Sequence, residues 1–87
     1  MKAEKETVVR LLKTARGQLD GILRMVEEDR YCLDISQQLM AAEAMLNRVN
    51  KEVLSAHLKH CVQQAQSEQD RNEKIDEFIT TLGKLMK

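Results

Sequence analysis

The chain has 87 residues, with fourteen basic and fourteen acidic side chains, 43% hydrophobic residues and only 2% aromatic ones. Residues 1–87 make one domain near the small end of what folds on a single core, where a second copy commonly supplies the missing buried surface. Aromatics are few, Pro is absent and Gly occurs three times, which excludes a β-sandwich or barrel and favours an all-α fold. No apolar run approaches the roughly 18–20 residues that span a bilayer, and Met1-Lys2-Ala3-Glu4-Lys5-Glu6 opens no secretory segment. A cytoplasmic protein with no membrane partner is expected, and its two cysteines are expected as free thiols.

The first predicted element covers Thr7 to Val26, where Leu12, Ala15, Leu19, Ile22 and Val26 recur at spacings of 3, 4, 3 and 4. Gly17 and Gly21 lie on one side of this helix, which predicts a close crossing with another backbone. The acidic run Glu27-Glu28-Asp29 meets the negative end of the helix dipole, so a break is expected near residues 27–31. A second stripe then runs through Ile35, Leu39, Ala42, Leu46, Val49 and Val53, and by further steps of four it reaches His57 and Cys61. Polar residues from Gln64 to Asn72 predict the end of this long middle helix. A third helix is expected from about Arg71 to Lys74 onward, with Ile75, Phe78, Ile79, Leu82 and Met86 as its apolar stripe. A middle helix of some 30 residues cannot bury its stripe within so small a chain, so a helical homo-oligomer is expected.

Charge is segregated although it sums to zero. Residues 1–24 carry six basic against three acidic side chains, residues 25–47 one against five, and residues 48–60 three against one. Such a pattern suits either a local nucleic-acid face or ordinary solvated helices.

The chemistry-bearing residues are Cys32, His57 and Cys61. On a helix, His57 and Cys61 project from one face with Cβ atoms about 5–6 Å apart, close enough for one ion. Cys32 is 29 residues from Cys61, roughly 44 Å along a continuous helix, so one protomer cannot close the site. An antiparallel dimer of the long helix would bring Cys32 of one copy to His57 and Cys61 of the other. Two thiolates and an imidazole form a soft three-ligand set better matched to Cu(I) than to four-coordinate Zn(II). Two other readings stay open on spacing alone: buried structural cysteines with an ordinary histidine, and a thiol switch joining Cys32 and Cys61 of different chains. His60 points about 100° away from Cys61 and is a bystander. Tyr31 and Glu77 are candidates to hydrogen-bond the far nitrogen of a ligating imidazole. An enzyme is not expected, because the chain has no Gly-rich phosphate loop, nucleophile elbow or loop carboxylate pair, and no small-molecule substrate is implied.

These segments together resemble a known family. The run Leu12-Lys13-Thr14-Ala15-Arg16-Gly17-Gln18-Leu19-Asp20-Gly21-Ile22-Leu23-Arg24-Met25, then Tyr31-Cys32, then His57-Leu58-Lys59-His60-Cys61, is similar to the bacterial CsoR/RcnR metal-responsive repressors, most of all the copper-sensing branch. The resemblance implies a Cu(I) site on Cys32, His57 and Cys61, with Tyr31 and Glu77 supporting the imidazole. It also implies a homotetramer built as a dimer of antiparallel dimers, which binds operator DNA when metal-free and releases it on Cu(I) binding, derepressing copper-resistance genes. Relatives without the histidine respond to persulfides, so a sulfur-species sensor using Cys32 and Cys61 is the alternative within the fold; a copper-binding bundle with no DNA role is a second. For DNA, Arg10, Lys13, Arg16, Gln18 and Lys51 are the candidates. Here the chain departs from the family, which usually carries Arg where Leu11 stands. Arg10 lies one residue earlier, a rotation of about 100°.

Overall fold

The computed structural model describes residues 1–85, and for Leu85 the backbone alone. Three helices follow in order: α1 (Lys5–Glu27), α2 (Cys32–Gln63) and α3 (Glu68–Leu85). Among the described residues there is no strand, and no helix is long and apolar enough to cross a membrane. Met86 of the expected α3 stripe lies outside the described residues.

The break after α1 is built by the backbone. Arg30 N–H donates to the Met25 carbonyl at 2.9 Å and Asp29 N–H to the Val26 carbonyl at 3.1 Å, the paired bonds of a Schellman stop. Its left-handed position is filled by Asp29, at φ 52°, where glycine is the usual occupant because a Cβ is costly there. The short reversal turns α2 back along α1.

Helix α3 starts earlier than the polar segment predicts, at Glu68 rather than near Arg71–Lys74. Ser67 is the cause: its Oγ accepts the Asp70 backbone N–H at 3.0 Å, and Asp70 Oδ2 in turn accepts the Gln66 N–H at 3.3 Å. These contacts satisfy donors that a helix start leaves open. Residues that read as a polar linker are therefore the first turn of a capped helix.

Both α1 and α3 pack against α2. The centre of the α1–α2 contact is Ala3, Val8, Leu11 and Val49, with Met45, Val53 and Ala56 partly buried around it. Ala15, Ile22 and Ala42 are the other buried apolar residues. The expected α1 stripe is thus split. Ala15 and Ile22 face α2, whereas Leu12, Leu19 and Val26 remain 44%, 45% and 53% exposed, and Val8 and Leu11 take their places in the core. On α2, Ala42 and Val49 are buried while Leu39 and Leu46 stay exposed. The close crossing expected at the glycines is not made within the protomer: a Cβ added at Gly17 meets nothing within 4 Å, and one at Gly21 only the tip of Arg24 at 4.0 Å.

Dimensions explain the split. The molecule measures 57 × 28 × 11 Å, so its thinnest extent is that of a single helix with its side chains. Its radius of gyration is 17.2 Å, against about 12 Å for a compact domain of this length. It exposes 6814 Å², about 1,600 Å² more than a compact monomer of the same mass. That excess is about twice what one partner contributes to an interface of standard size. One layer of helices can cover only one edge of each apolar sector.

Candidate metal centre and its surroundings

The continuity of α2 from Cys32 to Gln63 fixes the site geometry. His57 and Cys61 stand one turn apart, and Cys61 Sγ lies 3.4 Å from His57 Nε2 in hydrogen-bonding contact. Metal bonds of about 2.3 Å to sulfur and 2.0 Å to nitrogen place two donors about 3.5 Å apart on a tetrahedral ion and about 3.7 Å apart on a trigonal one. The pair therefore fits a shared ion with almost no rearrangement. Facing Nε2 toward the thiol leaves Nδ1 of the same ring for another partner.

The pair lines a cleft of about 460 Å³ between the C-terminal half of α2 and α3, which also receives the first residues of the chain. Val53, Leu54, Leu58 and Phe78 form its apolar wall, and Glu77, Lys74, Thr81 and Lys2 supply the polar groups around the two donors. Met1 and Lys2 reach the cleft because Ala3 is buried in the Val49 cluster. Thus the structure brings His57, Cys61 and Glu77 to one place.

It does not bring Cys32 or Tyr31 there. Both are exposed at the opposite end of α2, roughly 44 Å from Cys61 for the thiol. Among the described residues of one protomer, no group of three His, Cys, Asp or Glu side chains converges on a metal position. Both cysteines are free.

The basic candidates lie on exposed surface. Arg10 and Lys13 border a shallow groove on α1 with Lys5, Glu6 and Thr14, and Thr14 Oγ1 donates to the Arg10 carbonyl at 3.1 Å. Arg16 is exposed. Lys51 borders a second groove on α2 with Arg48, Glu52, Ser55 and Lys59. Because Val8 and Leu11 pack on Val49, these two basic segments, far apart in the chain, come to the same end of the hairpin. Gln18 differs. It lies on the buried stripe between Ala15 and Ile22, and its Oε1 is covered and without a hydrogen-bond partner, so that oxygen is not offered to a base edge.

Sequence reasoning passed over Lys74 and Lys2 in the cleft and Arg48 and Lys59 in the α2 groove. Helical spacing carried a signal for three of them: Lys74 precedes Glu77 by three and Phe78 by four, while Arg48, Lys51, Ser55 and Lys59 follow steps of 3, 4 and 4. Nothing in the sequence marked Lys2.

The metal-sensitive transcriptional repressor family model matches residues 4–84. The copper-sensing transcriptional repressor CsoR of Mycobacterium ulcerans is 43% identical over 76 residues, which cover 87% of this chain and 65% of that protein. The chain thus spans just under two thirds of the length of these mycobacterial relatives. CsoR of Bacillus subtilis is 38% identical over 84 residues, covering 97% of this chain and 83% of that one. Among solved structures, the copper-sensing repressor CsoR with Cu(I) from Geobacillus thermodenitrificans superposes with a TM-score of 0.79 at 32% identity, covering 100% of this chain and 94% of the other. The nickel-responsive transcriptional regulator InrS also gives a TM-score of 0.79, at 25% identity, covering 98% of this chain and 96% of the other. With the family model matched over nearly the whole chain and the three-helix fold shared, the protein belongs to the metal-sensitive transcriptional repressor family.

Proposed function

We propose that the protein is a cytoplasmic Cu(I)-responsive repressor, which holds operator DNA when metal-free and releases it when Cu(I) is bound by Cys32 of one copy and His57 and Cys61 of another. The observation that carries this reading is the 3.4 Å separation of Cys61 Sγ and His57 Nε2, two soft donors poised for one ion, on a helix whose far end holds the remaining thiol. Two thiolates and one imidazole satisfy a low-coordinate soft monocation and leave Zn(II) a ligand short. The copper-sensing relatives and the Cu(I)-bound structural neighbour support the choice of metal.

Bound there, Cu(I) supplies bonds that tie the end of one α2 to the start of another. The protein's own residues do the rest. His57 Nδ1 is free to donate to a carboxylate, and Glu77 lines the same cleft, so the imidazole can join α2 to α3. Tyr31 precedes Cys32 and would enter with it from the second copy. Arg10, Lys13, Arg16 and Lys51 hold DNA phosphates, contacts that set affinity and salt dependence without reading sequence. The assembly is an antiparallel dimer paired into a tetramer, in which the exposed apolar edges of α1 and α2 are covered.

Subunit mixing tests the site. Cys32→Ser protein and His57→Ala/Cys61→Ser protein each lack a complete site, but a mixed dimer contains one intact site of two. Random 1:1 reassembly makes half the dimers mixed and should restore about a quarter of the S₂N Cu(I) sites, read anaerobically by X-ray absorption. Variants that bind no Cu(I) alone and recover none on mixing would overturn the sharing of the site between copies, and variants that keep the S₂N signal unmixed would place the ligands elsewhere. Release of a fluorescent duplex from upstream of the gene is followed in the wild type; tight Cu(I) binding that leaves DNA bound favours the sulfur-species alternative.

A further inference from the structure

Lys74 shares the cleft with both metal donors of its own chain, and no role has been assigned to it. It projects from α3 beside Glu77, while Lys2, placed by the burial of Ala3, lines the same cleft. The charged residues lining the cleft with His57 and Cys61 are Lys2, Lys74, Met1 with its α-ammonium group, and Glu77 as the one carboxylate, a positive surplus. Among the described residues neither lysine is in an ion pair, the one pair being Arg30 with Glu28.

From this arrangement we infer that Lys74 is a selectivity residue, which favours a monovalent over a divalent ion in the thiolate site. The inference rests on the Cys–His–Cys reading above. Two thiolates and a neutral imidazole carry two negative charges. A monovalent ion leaves the site at minus one, which a neighbouring ammonium stabilises; a divalent ion leaves it neutral, and the ammonium then gains nothing. Ligand softness already favours Cu(I), and the fixed charge adds a second, independent discrimination that acts through space. Lys74 touches no bond to the metal and needs no change of protonation. Because its side chain is exposed, the contribution falls as salt screens it.

The test uses the full chain, anaerobic and reduced, with Cu(I) and Zn(II) affinities measured by competition against chromophoric chelators at about 0.05 M and 0.5 M salt. For one unit charge near a partly exposed site, Lys74→Met should lower the Cu(I)/Zn(II) affinity ratio about tenfold at low salt, and Lys74→Glu should lower it further. Lys74→Arg, which keeps the charge, should retain the wild-type ratio, and the difference between wild type and Lys74→Met should shrink at high salt. Helicity by circular dichroism shows that the variants fold. If wild-type protein fails to bind Cu(I) in an S₂N site, the ligand reading fails. If it binds and Lys74→Met and Lys74→Glu keep the wild-type ratio within twofold, or Lys74→Arg loses it as they do, the charge role of Lys74 is wrong.

Discussion

Replacing Leu19 and Leu23 together with Gln should break the assembly of copies while leaving the protomer's own helices in place. The two side chains are 45% and 59% exposed, so together they leave about one leucine's worth of apolar surface for a second copy to cover. Full burial of one leucine contributes about 1.5–3 kcal/mol. A twofold interface uses each residue twice, which makes the loss about 3–6 kcal/mol per dimer, or roughly 150-fold to 25,000-fold in dimer Kd. Gln has nearly the helix propensity of Leu, so the change acts on the surface rather than on α1. Sedimentation equilibrium across a concentration series measures the Kd, and circular dichroism at the same concentrations reports the helix. Because Cys32 lies at the far end of α2 from His57 and Cys61, dissociation should also convert the S₂N copper signal to a two-donor one at low protein concentration. A double variant that self-associates within threefold of the wild type would refute the assignment of this edge to a second copy.

Removing the Schellman strain with Asp29→Gly should raise stability by about 0.5–1 kcal/mol, whereas Asp29→Val, β-branched at positive φ, should lower it by about 1–2 kcal/mol; thermal melts at fixed protein concentration distinguish them. Ser67→Ala removes the acceptor for Asp70 N–H and should cost about 1 kcal/mol, seen as faster amide exchange in the first turn of α3 while α1 exchange is unchanged. Lys51→Gln should reduce the salt slope of DNA affinity by about 0.9 for each copy that meets a phosphate, with no change in Cu(I) affinity; an unaltered slope removes Lys51 from the DNA face. Glu77→Gln should lower Cu(I) affinity by about tenfold, as loss of one unit charge beside a monovalent ion requires, and should in addition reduce the factor by which Cu(I) weakens DNA binding, each tenfold of that factor being about 1.4 kcal/mol of coupling. Unchanged release would free Glu77 of the coupling role.

Helix number and the length of α2 were legible because a stripe with steps of 3 and 4 admits no other regular structure, and no Gly or Pro interrupts residues 31–81. What periodicity could not disclose is which edge of an apolar sector the chain covers itself. Leu12 and Leu11 are adjacent in sequence and 100° apart on α1, yet Leu11 is 3% exposed and Leu12 is 44%, a difference set by where α2 lies. The α3 boundary was missed for a local reason: Ser67 and Asp70 read as linker residues, and only the bond from Asp70 N–H to Ser67 Oγ makes them a cap. His57 and Cys61 were legible as a pair, since four residues on a helix is a distance in space. Lys2 was not, because its place in the cleft depends on Ala3 packing against Val49 across the hairpin.

The placement of the half-site bears on how metal and DNA can be linked. His57 and Cys61 follow Lys51 on the same rigid helix by six and ten residues, about 9 and 15 Å of rise, and Val8 and Leu11 bind the basic start of α1 to that stretch. The donors and the proposed phosphate contacts therefore share one structural end, so the distance to be bridged is short. Proximity alone couples nothing, because a ligand shifts an equilibrium only by its differential affinity for two arrangements. In this fold the differential must come from how copies sit against one another. In the proposed site the third donor belongs to another copy, and the single-layer protomer with its uncovered apolar edges leaves that relation to the assembly. Closing Cys32 onto His57 and Cys61 fixes one spacing between copies, whereas phosphate contacts from symmetry-related grooves require a spacing set by the duplex. A repressor built this way reads metal when those two spacings differ, and the coupling free energy is the cost of imposing one upon the other.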